Sequence, residues 1–98
     1  MYGNSRYILA PMVEGSEPAF RLLSRHYGVN WCFAPMWHGM MFVENSGYQK
    51  DSLNSIREIP GHVDRPLSVQ FAANKPEVFS KACKIVHEAY PDVAVDLN

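Results

Sequence analysis

The chain has 98 residues, of which 47% are hydrophobic and 19% charged, the balance of one small globular domain and not of a disordered chain. A formal net charge of −1 gives no electrostatic case for a nucleic-acid partner, and no apolar run approaches the roughly 18–20 residues of a membrane span. The two cysteines, Cys32 and Cys83, and the four histidines match no metal-ligand or redox spacing, so neither a metal nor a disulfide framework is expected.

The leading MYGNSRY lacks the apolar centre of a signal segment. With no disulfides to protect, the expected setting is a reducing compartment, the cytoplasm first and the nucleus second. RYILA, Arg6 to Ala10, reads as a short buried strand that ends in Ala-Pro-Met. A turn follows. Ser16 is placed to cap a helix over Glu17 to Tyr27, with Pro18 near the position that tolerates a missing N–H. That helix sets Phe20, Leu23 and Tyr27 on one face, and Gly28 suits its end.

Val29 to Ala34 is a second strand, and it too stops on Ala-Pro-Met. Trp37 to Val43 suits a short helix, and Glu44 to Arg65 reads as irregular, with at most a helical turn near Ser52 to Arg57. Pro66 opens a third strand that runs to Phe71. Asn74 and Glu77 resemble a capping box ahead of the strongest amphipathic pattern in the chain, Val78, Phe79, Ala82, Val86 and Ala89. Lys75, Lys81 and Lys84 fall on its solvated side. Pro91 ends it, and Val93 to Asn98 reads as a fourth strand.

Strands that alternate with crossover helices pair in parallel, and near-continuous apolar strands are covered on both faces. The expected class is therefore α/β, with four parallel strands and intervening helices. Four strands cannot close a barrel that needs eight, so the expectation is a single partial domain over residues 1–98, the first half of a (β/α)8 barrel that breaks off after its fourth strand. Open edges would favour self-association.

In such sheets ligands lie beyond the carboxyl ends of the strands. Both Ala-Pro-Met tripeptides fall there. Proline stiffens the loop and methionine offers a polarisable surface to a flat ligand. Gln70 brings an amide able to read a heteroaromatic ring, and Asp96 and Asn98 add polar groups at the fourth strand. His38 lies near the same face. Trp37 reads as a buried aromatic, Cys83 as helix core, and Asp64 with Arg65 as a structural pair at the opposite end.

ILAPMVEGSEPAFRLLSRHYG, PLSVQFAANKPEVF and AVDLN, in that order, resemble the tRNA-dihydrouridine synthases over Tyr7 to Asn98, most of all the eukaryotic type that modifies tRNA positions 16 and 17. The resemblance implies a TIM barrel that binds FMN, takes its electrons from NADPH and reduces uridine in tRNA to dihydrouridine, with a cysteine as acid. It implies that Pro11, Met12 and Val13 lie along the flavin, that Gln70 hydrogen-bonds its ring, and that Asn98 helps hold the substrate base as the opening residue of an Asn-x-Gly-Cys-Pro motif. That motif's cysteine falls beyond Asn98. No catalytic residue is therefore assigned within the chain, and the isolated chain is expected to be inactive and to hold FMN poorly or not at all. Two alternatives stay open: another FMN barrel of dihydroorotate dehydrogenase type, and a non-catalytic truncated interaction module.

Overall fold

The computed structural model describes residues 6–98; the first five residues, and with them most of the stretch read for a signal segment, lie outside the described residues. In chain order the elements are β1 (Ile8–Leu9), α1 (Pro18–His26), β2 (Trp31–Phe33), β3 (Trp37–His38), α2 (Gly39–Glu44), α3 (Ser46–Ser55), β4 (Leu67–Ala72), α4 (Pro76–Ala89) and β5 (Ala94–Leu97).

Every pair of these strands is parallel. Ser68 is matched by both Phe33 and Ala94, and Phe71 by both Trp37 and Leu97. A strand has two edges, so β2 and β3 share one edge of β4 and β5 takes the other. The sheet thus runs β1, β2 with β3, β4, β5, in sequence order. Sequential parallel strands with helical crossovers are the arrangement of a (β/α)8 barrel, whereas a doubly wound sheet reverses its order. The expected α/β class holds, with a fifth short strand added.

That extra strand corrects the reading of the second Ala-Pro-Met. Ala34, Pro35 and Met36 separate Phe33 from Trp37, whereas only Val69 and Gln70 separate their partners Ser68 and Phe71. The tripeptide is a one-residue bulge inside a strand that resumes, not a strand end. Pro35 has no N–H to contribute, and a bulge is where a sheet tolerates it. Only the first copy, after β1, ends its strand.

Along β4, Leu67, Val69 and Phe71 alternate with Ser68, Gln70 and Ala72. The first set is buried with Cys32, Trp37, Phe42, Ala82 and Val86 beneath the helices. Trp37 stacks on Phe42 at 5.4 Å, and Phe71 meets them at 5.6 and 5.0 Å. Such pairs add about 0.5–1.5 kcal/mol each beyond their buried area. Trp37 is therefore the buried aromatic that its sequence context suggests.

The helices depart from expectation in four places. α1 starts at Pro18 with Glu17 as its cap residue and no side-chain cap bond. The Ser16 hydroxyl is engaged elsewhere: it accepts from the Met12 N–H at 2.9 Å and donates to the Met12 carbonyl at 3.3 Å, closing the turn after β1. Phe20, Leu23 and Tyr27 are exposed, and the buried residue of α1 is Arg21. α3 is a full helix where an irregular stretch was expected, started by Asn45, whose side chain accepts from the Tyr48 N–H at 2.9 Å. Asn74 does not cap α4; Lys75 holds that position, again without a cap bond, and Pro76 supplies a preset first turn. Gly28 does end α1, with a φ of 105° that favours a residue without Cβ.

The amino end of the sheet is held by charge. The buried Arg21 donates from Nε to Asp64 Oδ2 at 2.8 Å, and from its two terminal nitrogens to the Ser16 and Ser55 carbonyls at 2.8 and 2.9 Å. Arg25 donates to Asp64 Oδ1 at 2.9 Å. Arg65 reaches Asp92 at 2.9 Å and not the side chain of Asp64. The expected Asp64–Arg65 pair is thus replaced by three ion pairs, Asp64 with Arg21 and Arg25 and Arg65 with Asp92, because Asp64 turns toward α1.

Candidate functional site

The polar alternation of β4 builds the opposite face of the sheet. Parallel register places Phe33 and Ala94 beside Ser68, and Asp96 beside Gln70. The Trp31 indole N–H donates to the Ser68 hydroxyl at 2.8 Å, and Gln70 Nε2 donates to Asp96 Oδ2 at 2.8 Å. Ile8, in register with Trp31, extends this face to β1 and is 57% exposed. An apolar and aromatic strip thus runs into a small polar group at β4 and β5.

At the carboxyl end, Asn98 donates its backbone N–H to the Phe71 carbonyl at 3.0 Å, which continues the β4–β5 ladder by one residue. Its side-chain Nδ2 meets Met36 Sδ at 3.0 Å. Met36 lies in the bulge at Ala34-Pro35-Met36, so this contact spans β4. Beside these residues a cavity of about 500 Å³ opens between the ends of β3, β4 and β5 and the start of α4, lined by His38, Met40, Ala72, Ala73, Asn74, Val78 and Asn98. His38 Nδ1 accepts from the Met41 N–H at 3.3 Å, which fixes its ring at the cavity edge.

Pro11, Met12 and Val13 form the turn after β1, two lanes from β4, or roughly 10 Å across the sheet at the usual strand spacing. The turn is tight. Met12 accepts from the N–H groups of Gly15 and Ser16 at 3.0 Å each, and Glu14 takes a φ of 59°. Met12 and Val13 keep 37% and 65% of their surface exposed. The structure therefore brings Gln70 and Asn98 to one end of one face, with the Pro11–Val13 turn two lanes from Gln70 and three from Asn98. From sequence, Asp96 reads only as a further polar group at the fourth strand and Met36 only as a polarisable surface; that they are the direct partners of the two amides comes from the structure. Asp96 was findable: aligning PLSVQF with VAVDLN by alternation puts it on the face of Gln70.

Neither thiol belongs to this face. Cys32 is buried on the helix side of β2, and burial is the main cause pushing its pKa up. Cys83 is half-buried on α4, in a groove with Phe79 and His87, and desolvation raises it too. It is thus a groove residue and not a closed core residue. Raised thiols are protonated at neutral pH and poor nucleophiles. Among the described residues no group of three or more His, Cys, Asp or Glu could hold a metal ion, and no helix is long and apolar enough to cross a membrane.

The sequence model of dihydrouridine synthase (Dus) matches residues 8–98. The chain belongs to the dihydrouridine synthase family. Three curated relatives illustrate the range. A Rattus norvegicus protein named tRNA-dihydrouridine(16/17) synthase NAD(P)(+)-like is 46% identical over 98% of this chain and 21% of its own length. The Saccharomyces cerevisiae tRNA-dihydrouridine(16/17) synthase is 44% identical over 98% of this chain and 22% of its own length. A Homo sapiens tRNA-dihydrouridine(20a/20b) synthase NAD(P)+-like protein is 37% identical over 81% of this chain and 23% of its own length. The chain thus spans about a fifth of the length of the curated relatives it matches. No solved structure gives a significant match. Family membership accounts for the sheet order, since the chain supplies part of the family's barrel.

Proposed function

We propose that this chain forms the opening strands of the barrel of a tRNA-dihydrouridine synthase and carries part of its flavin and substrate wall. The observation that carries the reading is the convergence of Gln70 and Asn98 at the carboxyl end of adjacent lanes of the sheet, in a chain of this family. The donor set suits FMN: an amide able to read the imide edge of a ring, flanked by Trp31, Phe33 and Met36 as flat or polarisable neighbours.

When bound, the flavin supplies a hydride to one carbon of a uracil ring and is recharged by NADPH. The chain's own residues orient and enclose. Gln70 would hold the ring edge through its amide, Pro11, Met12 and Val13 would line the flavin from the β1 side, and Asn98 would hold the amide edge of the uracil. The target base leaves its stack to reach this wall. Cys32 and Cys83 do not deliver the proton, because both lie on the helix side of the sheet. No observation favours a dihydroorotate dehydrogenase-type reading or a non-catalytic module.

A chimera tests the proposal. The segment of the Saccharomyces relative that aligns with this chain is replaced by residues 1–98, and the dihydrouridine content of tRNA is measured in cells lacking the native enzyme. Restored dihydrouridine, lost again on Gln70→Ala, is the expected result. A folded, FMN-loaded chimera that makes none overturns the proposal.

A further inference from the structure

Gln70 on β4 and Asp96 on β5 stand side by side in matched register, both half-buried, with Gln70 Nε2 donating to Asp96 Oδ2 at 2.8 Å. The chemistry of the partner decides which end of the amide faces β5. A carboxylate offers only acceptor lone pairs, so the amide must turn its nitrogen toward Asp96. The carbonyl oxygen then points away from β5. One amide hydrogen is taken by the carboxylate, and the other remains beside the carbonyl oxygen. What Gln70 presents is one acceptor and one donor in a fixed left-to-right order.

Asn98 is held in the same way. Its Nδ2 meets Met36 Sδ at 3.0 Å, and a thioether also accepts only. Two amides at one end of the sheet are thus each pinned through nitrogen by a neighbour that cannot donate. A free amide could present either end for little cost, and it would have to be ordered by the ligand at each binding event.

We propose that Asp96 is a positioning residue: by holding Nε2 it fixes the order in which Gln70 presents C=O and N–H, and so where the imide edge of a flat ring sits across the sheet. An imide N–H sits between two carbonyls. An amide of fixed order accepts from that N–H and donates to the carbonyl on its Nε2 side, so the ring is held at one lateral position, whichever of its two carbonyls lies there. The proposal rests on reading this face as a flavin face.

The test uses the full 98-residue chain labelled with ¹⁵N. The Gln70 side-chain amide is expected to show two widely separated protons, one displaced downfield by a charge-assisted bond. Asp96→Leu collapses the separation. Asp96→Asn, of nearly equal volume, moves the displaced proton upfield and splits the signal, since asparagine can face Gln70 with either end. Backbone signals of Val69, Phe71 and Val95 report whether each variant is folded. A Gln70 amide unchanged by Asp96→Asn overturns the proposal, even where Asp96→Leu loses the fold.

FMN is then titrated to millimolar concentration. Asp96→Asn and Gln70→Ala are each expected to weaken FMN binding by about threefold to tenfold, the worth of one hydrogen bond, and the double variant to add nothing further. Independent, additive losses overturn the positioning role, because an Asp96 that only supported the sheet would not act through Gln70. FMN that leaves Gln70 and Asp96 unmoved, with the amide signature intact, overturns the flavin reading and the ligand half of the proposal. A missing signature overturns the Asp96 half alone.

Discussion

Arg21 and Asp64 meet at 2.8 Å across the amino end of the sheet, with the arginine side chain fully buried and the aspartate 8% exposed. The pair joins α1 to the segment that enters β4, and Arg25 adds a second bond to the same carboxylate at 2.9 Å. Every buried side-chain nitrogen and oxygen among the described residues has a partner, so this buried charge is satisfied where it lies.

Removing the carboxylate strands a guanidinium in the interior. Asp64→Ala is expected to cost about 3–5 kcal/mol, a large part of the stability of a domain this small. Asp92→Ala removes the partner of Arg65 from a site where the aspartate is 51% exposed, and it is expected to cost less than about 1 kcal/mol. Urea unfolding midpoints of the two variants give the comparison. Equal losses would contradict the distinction between the buried and exposed pairs.

Gly39, at the start of α2, sits against the end of β4. A Cβ there would lie 3.0 Å from the Ala72 carbonyl oxygen and 3.1 Å from the Ala73 Cβ. Alanine is the better helix former by about 1 kcal/mol, yet the contact is with backbone that cannot swing aside. Gly39→Ala is expected to lose about 1–3 kcal/mol, as crowding outweighs propensity. A more stable variant in urea unfolding would show that β4 yields more readily than its packing implies.

Burial raises the Cys32 thiol above its ordinary value of 9.0. As pH climbs past that value the unfolded thiol gives up its proton while the folded one keeps it. The unfolded state then binds fewer protons, and stability falls with pH. The contribution is intact below about pH 9 and is lost as pH rises toward the raised folded value. Cys32→Ala is expected to flatten this part of the stability profile above pH 9. An unchanged slope would assign the alkaline loss to other groups.

The position of Cys83 on the outer helix layer separates it from the chemistry. In the chimera, Cys83→Ala is expected to leave dihydrouridine formation unchanged. A loss of product with normal folding would place the helix side of the sheet in the reaction.

The strands and the amphipathic α4 were legible because apolar runs and 3.6-residue periodicity report burial directly. α3 was not. Tyr48 and Leu53 are its only large apolar side chains, so it carries no stripe, and its signal is the Asn45 cap alone. α1 misled in the opposite sense: Phe20 and Leu23 mark an apolar face, but the face turned inward carries Arg21, whose charge is offset by Asp64, 43 residues away. Sequence spacing does not reveal a partner at that separation. The bulge at Ala34-Pro35-Met36 was hidden for a related reason, since proline after an apolar run looks the same at a strand end and at an interruption. Gln70 and Asn98 read from sequence as polar residues at the ends of the third and fourth strands, whereas the partners that orient them became visible only with the register.

The central claim is that the Gln70–Asn98 end of the sheet, with the Pro11–Val13 turn, is a flavin-binding wall. Its most direct test is a map of ¹⁵N-detected shifts as FMN is added to the unmodified chain. The expected result is movement of the Gln70 and Asn98 side-chain amides together with the backbone amides of Met12 and Val13, while Ile59, His62 and Val63 at the far end stay still. Shifts confined to that far end, or to the α4 groove around Phe79 and His87, would contradict it.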